Sequence, residues 1–149
     1  MDAEEQNIRE AIRDTLARYA IAVDAADYAM LGDCFTQDGV LVVEGGKALA
    51  GRATIVTTLS GAGWTSKHAS RRDIFQRHSL STCHILLDGG TAKAVTYYQV
   101  MTELGLDHSG RYLDRFERHG DAWLIRERSA TLDWMTPASR FARLLAVAR

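Results

Sequence analysis

The opening of the chain alternates in a helical rhythm. Ile8, Ile12, Leu16, Tyr19, Ala20 and Val23 recur at steps of three and four, while Arg9, Arg13 and Asp14 fall on other faces. This spacing predicts a helix over Ala3 to Ala25. A short second helix follows from Asp27 to Phe35, with Asp27 as its cap and Tyr28, Leu31 and Phe35 facing inward. Thr36-Gln37-Asp38-Gly39 reads as a turn. Val40 to Glu44 and Lys47 to Ala50 then form a hairpin around Gly45-Gly46, a dipeptide that tight hairpin turns prefer. Arg52 to Leu59 reads as a third helix, stopped by Ser60-Gly61-Ala62-Gly63, and a polar loop runs on to about Asp73.

The rhythm then changes to long extended runs. Ile74 to Asp88 is turned by Gly89-Gly90, and Thr91 to Leu106 by Asp107-His108-Ser109-Gly110. Arg111 to His119 leads through Gly120-Asp121 into Ala122 to Leu132. Four consecutive antiparallel strands result. Pro137 opens a final amphipathic helix carrying Phe141, Leu144, Leu145 and Val147. Helices first and a long meander afterwards argue for an α+β fold rather than a parallel α/β sheet. A meander curled around the opening helix leaves one concave face, a natural cavity for a small molecule. No internal repeat or linker interrupts it, so residues 1–149 read as one domain.

Bulk properties narrow the functional classes. With 149 residues, 46% hydrophobic and 25% charged, the chain is long enough to bury a core. Lys and Arg total 18 against 19 Asp and Glu, a net charge of −1, which gives no footprint for nucleic acid. The Arg71-Arg72 pair reads as part of a solvated loop. Cys34 and Cys83 are far apart, form no C-x-x-C and read as free thiols of a reducing compartment. Asp2, Glu4, Glu5 and Arg9 break any leader-like apolar run, and no stretch reaches the ~18 apolar residues of a membrane span. A cytoplasmic location without membrane contact is expected.

Chemistry-bearing residues are few. Counted by strict alternation, His78, Leu80, Thr82, His84 and Leu86 share one strand face. At ~3.3 Å per residue His78 and His84 stand about 20 Å apart, too far to share a metal ion, so no metal is expected. On the first helix, Tyr19, Ala20 and Val23 belong to the apolar face and Asp24 lies at its inner edge. A carboxylate there needs a donor, and His78 is the most economical one; the pair would fix the imidazole tautomer and free its second nitrogen as a base. The alternative is that Asp24 or Asp27 merely caps the next element. His84 reads as structural or exposed, and His108 and His119, at turns, as solvated. Alternation sets Trp123, Ile125 and Glu127 on one face of the last strand and Leu124, Arg126 and Arg128 on the other, where Arg128 has Glu117 as a surface partner. Trp64, Tyr97, Tyr98, Tyr112 and Phe116 read as core residues, several of which line the cavity. Gly-x-Ser-x-Gly is absent, and Gly61-Ala62-Gly63 lacks the context of a phosphate loop.

The ordered series Ile12…Leu16…Arg18-Tyr19-Ala20…Val23-Asp24…Asp27-Tyr28…Leu31…Cys34-Phe35…Asp38-Gly39 is similar to the first helices of SnoaL-like proteins. It continues through Gly51-Arg52…Ile55, His78, Gly110-Arg111-Tyr112…Phe116-Glu117-Arg118…Trp123 and Arg128. The chain thus resembles the NTF2-like superfamily that includes scytalone dehydratase. The resemblance implies a cystatin-like cone: helices packed on a curved, mixed, mainly antiparallel sheet that encloses a pocket. It implies an Asp–His pair at Asp24 and His78, with Tyr19 and Arg128 matching a tyrosine and an arginine that bile-acid dehydratases use. It further implies cofactor-free elimination on a small, cyclic, mostly apolar hydroxylated substrate, and a homodimer or homotrimer. Trp64, Tyr98, Tyr112, Trp134 and Phe141 are the expected substrate contacts, the last two as a lid. Isomerisation, ligand binding alone, or an assembly role like that of dioxygenase β-subunits are the alternatives. Scytalone dehydratase carries a second histidine on its fourth strand; Gln99 to Leu104 holds none here, so the acid for the leaving group must come from elsewhere.

Overall fold

The computed structural model describes residues 1–62, 75–139 and 141. Helix α1 spans Ala3–Ala25, with Asp2 at its N-cap accepting from the Glu5 amide at 2.8 Å. Its apolar stripe is buried at Ile12, Leu16, Tyr19, Ala20 and Val23. The helix stops at Ala26, whose left-handed backbone (φ 53°) turns its N–H back onto the Ala22 and Val23 carbonyls. Asp27 caps α2, Tyr28–Asp33, by accepting from the Met30 amide at 3.0 Å. With Asp27 in the cap, Asp24 is free for another partner.

Strand β1 (Phe35–Val43) and the short β2 (Leu49–Ala50) form the expected hairpin, with Gly45 at φ 66°. Helix α3, Arg52–Thr57, widens into a π-helical turn over Thr58–Ala62, so the helical path does not stop at Ser60. Strands β3 (Arg77–Asp88), β4 (Thr91–Thr102), β5 (Gly105–His119) and β6 (Ala122–Met135) form the antiparallel meander. The sheet order is β2-β1-β6-β5-β4-β3, and among the described strands only β1 and β6 run parallel. The result is a mixed, curved, unclosed sheet of six strands.

Helix α1 packs across β3 and β6. Phe35, Phe116, Trp123 and Ile125 are buried in this layer, each removed from water for about 1.5–3 kcal/mol. Thr15 Oγ1 donates to the Trp123 carbonyl at 2.6 Å, and Arg9 donates to the Ile85 carbonyl at 2.7 Å, tying the helix to β6 inside the sheet and to β3 at its edge. Among the described residues no helix is long and apolar enough to cross a membrane.

Four irregularities in the ladders alter the sequence-based reading. Thr36 to Gly39 do not form a separate turn; they bulge within β1, where Phe35 pairs with Ile125 and Val40 with Glu127. In β3, Leu80 pairs with Tyr98 and Cys83 with Thr96, so an extra residue breaks the alternation. His84 is thereby exposed, on the face opposite His78. The β4–β5 hairpin turns at Glu103-Leu104 and not at Asp107 to Gly110, which belong to β5. In β6, Arg115 pairs with Glu127 and Phe116 with Ile125, leaving Arg126 surplus. That residue shifts Arg128 onto the inner face with Trp123 and Ile125, and it is Arg126 that meets Glu117, at 3.5 Å. Trp64, the Arg71-Arg72 loop, the strand start at Ile74 and the helix expected through Leu144, Leu145 and Val147 lie outside the described residues.

Candidate active site

Between α1, α2 and the concave face of the sheet lies a small, partly open cavity with about 80 Å³ of free space. Its walls are mainly apolar and aromatic: Val23, Leu31, Leu41, Leu59, Tyr98, Tyr112 and Phe141 among them, with Tyr19 and Tyr28 from the helices. Its polar side chains are Gln76, His78 and His108.

Asp24 and His78 meet at the edge of this cavity. Asp24 Oδ1 lies 2.7 Å from His78 Nδ1, and Oδ2 accepts the His78 backbone N–H at 2.9 Å. The side chains are 12% and 11% exposed. A carboxylate only accepts, so Nδ1 of a neutral ring carries the proton and Nε2 holds the lone pair. Residue 24 reaches residue 78 because α1 lies across the start of β3.

Two tyrosines build the floor. Tyr98 stacks on Tyr112 with ring centroids 4.5 Å apart, and the edge of Tyr112 meets Tyr19 at 5.8 Å. The Tyr98 hydroxyl donates to the Thr131 carbonyl at 2.8 Å. This bond passes over Gly110, where a Cβ would sit 1.9 Å from that carbonyl oxygen. Burial pushes the Tyr98 and Tyr112 phenols well above their ordinary range, so both stay protonated.

Arg128 lies one layer further in. Its Nε and Nη2 each donate to Asp114 at 2.8 Å, both side chains being fully buried. The guanidinium is centred 4.2 Å from the Tyr19 ring and 3.9 Å from the Tyr112 ring, a cation held against two π faces. Among the described residues that line the cavity Arg128 does not appear; it touches that space through the two tyrosines. Burial pushes the Asp114 carboxyl upward, and the Arg128 charge opposes this.

Phe141 is buried at the cavity wall, its ring 5.2 Å from His108. Trp134 is 49% exposed and is not among the described lining residues, so a Trp134 lid is not formed here. His108 itself overturns the solvated reading. It is 7% exposed, its Nδ1 lies 2.7 Å from Asp107 Oδ1, and burial pushes its ring below the ordinary histidine range. Turn chemistry in Asp107-His108-Ser109-Gly110 concealed it; the better signal was Glu103-Leu104-Gly105, with Gly105 at φ 103°. Gln76 was also missed; the sequence reading places it inside a strand from Ile74, whereas β3 begins at Arg77 and Gln76 is buried just ahead of it. Among the described residues no group of three His, Cys, Asp or Glu side chains gathers to hold a metal ion.

Known proteins share this architecture. A function-unknown protein from Mycobacterium tuberculosis is 24% identical with a TM-score of 0.78, covering 100% of this chain and 94% of its own. An NTF2-like protein with a cystatin-like fold from Novosphingobium aromaticivorans is 25% identical with a TM-score of 0.76, covering 95% and 90%. The hexachlorocyclohexane dehydrochlorinase of Novosphingobium barchaimii is 16% identical with a TM-score of 0.77, covering 94% and 96%. No curated protein matches the sequence. The SnoaL-like domain profile matches residues 4–129, and with the cystatin-like cone and its cavity now described, the chain belongs to the SnoaL-like domain family.

Proposed function

We propose that this protein is a lyase that removes water, or a comparable leaving group, from a small, cyclic, mostly apolar hydroxylated compound without a cofactor, using Asp24 and His78 as its general-base pair. One observation carries the reading. Asp24 occupies both N–H groups of His78, which leaves Nε2 as a lone-pair base at the edge of an apolar cavity.

In this scheme Nε2 of His78 takes a proton from the carbon next to a carbonyl. The C–H electron pair forms the new C=C bond as the C–O bond breaks, and the imidazolium returns its proton to the departing hydroxide as water. Asp24 stabilises the imidazolium while it carries that charge. Tyr19, on the cavity wall, is assigned to the leaving oxygen, and Arg128 acts as a positioning residue behind its ring. General-base catalysis of this kind is worth about 10²–10⁴-fold. A structural neighbour named as a dehydrochlorinase, itself an elimination enzyme by name, supports the reading through its fold.

The test is a panel of cyclic β-hydroxy-ketones followed by enone absorbance and product mass. Wild-type protein is expected to form a product lighter by one water, and His78→Gln to lose about 10²–10⁴-fold in rate while keeping its far-UV dichroism. A product of unchanged mass would identify isomerisation instead. Full turnover by folded His78→Gln would remove His78 as the base.

A further inference from the structure

A second carboxylate–imidazole pair faces the same cavity. In β5 the ladder shifts between His108, paired with Val100, and Leu106, paired with Met101, so Asp107 is a surplus residue. The bulge buries two consecutive side chains, Asp107 and His108, where a regular strand would bury one. Asp107 Oδ1 accepts from His108 Nδ1 at 2.7 Å and from Ser139 Oγ at 2.6 Å. Ser139 Oγ in turn accepts the Phe141 amide at 3.0 Å, which fixes the Phe141 ring beside His108.

The pairing settles the tautomer. With Nδ1–H held by a carboxylate, the neutral ring presents a bare acceptor at Nε2. No described residue hydrogen-bonds that nitrogen, and it is not sealed in protein. Gln76 repeats the pattern. Its Nε2 donates to the Val23 carbonyl at 3.2 Å, which fixes the amide orientation and leaves Oε1 buried with no partner. The Tyr98 hydroxyl, by contrast, already donates to Thr131. A buried acceptor is unfavourable until something donates to it. The apolar cavity therefore offers acceptors whose complement is an O–H group.

We infer that His108 is a specificity-determining residue of this cavity, accepting at Nε2 a hydrogen bond from a phenol, enol or alcohol hydroxyl of the substrate, distinct from the group that leaves. The inference rests on the elimination reading for the word substrate alone; hydroxyl recognition stands without it. His78 and His108 both stand within 6.4 Å of the Tyr98 ring, so one ring-sized molecule on that floor reaches both.

The test compares 2-naphthol with its methyl ether, a pair that differs in the one donor. Calorimetry on wild-type protein is expected to show naphthol binding at least about tenfold tighter than the ether, and His108→Phe to abolish the difference by weakening naphthol alone. Asp24→Asn should keep the preference. On wild-type protein the nitrogen-15 resonance of His108 Nε2 should move on adding naphthol and stay still with the ether, a readout that needs no variant to fold. Equal binding of the two probes, an unmoved resonance, or an unchanged preference in folded His108→Phe would overturn the assignment. Naphthol recognition with no hydroxy-ketone turnover would remove the lyase reading and leave His108 in place.

Discussion

Arg128 and Asp114 face each other across two 2.8 Å hydrogen bonds with neither side chain reaching water. Such a pair is costly to break from one side, because the remaining charge is stranded. Arg128→Met is expected to destabilise the fold by about 3–5 kcal/mol in urea titration, whereas Arg128→Met combined with Asp114→Leu recovers most of that loss. Additive losses in the double variant would show that the two groups are not coupled.

The grip of Asp24 on His78 makes a kinetic prediction. Asp24→Asn keeps the shape but removes the charge that supports the imidazolium. The rate on the best hydroxy-ketone should fall about 10²–10⁴-fold with little change in KM. A rise in KM at constant kcat would mean that Asp24 serves binding rather than proton transfer.

His108 gives a pH dependence whose sign can be worked out. Burial holds its ring below the ordinary 6.5, against the opposing pull of Asp107, and His78 adds to the lowering from across the cavity. Tyr98, protonated, is the other titratable ring packed against it. Below pH 6.5 the unfolded chain takes up a proton that the folded chain refuses. The stability associated with neutral His108 is thus complete above about pH 6.5 and declines as the pH falls beneath it, by at most about 1.4 kcal/mol per pH unit. Urea unfolding from pH 8 to pH 5 should show this slope, and His108→Phe should flatten it. An identical slope in the variant would refute the account.

Gly110 carries a packing prediction. A Cβ there would lie 1.9 Å from the Thr131 carbonyl oxygen and 2.8 Å from the Tyr98 hydroxyl. Gly110→Ala must push β5 from β6 and is expected to lose about 1–3 kcal/mol. Tyr98→Phe, which leaves the Thr131 carbonyl without its donor, should lose about 1–2 kcal/mol. Thermal melts of both check the order; a neutral Gly110→Ala would show that the strands give way freely.

Long periodic segments were legible in the sequence. The α1 stripe from Ile12 to Val23 and the glycine-marked meander are local patterns, repeated often enough to outweigh noise. Asp24 was legible because it closes that stripe, and the cap that competed for it went to Asp27. His108 was not. Asp107-His108-Ser109-Gly110 has turn chemistry, and only its pairing with β4 and β6 shows it to be strand.

The sequence by itself determined the order of elements, the helix face and the carboxylate waiting at its edge, because hydrophobic period and capping act between residues a few positions apart. Tertiary structure alone decided which side chains look into the cavity. Surplus residues near Thr82, at Asp107 and at Arg126 each break the alternation, turning His84 outward, Asp107 inward beside His108, and Arg128 inward. A bulge changes neither composition nor local propensity; it exists only in the mismatch between a strand and its neighbour, and that neighbour is distant in the chain.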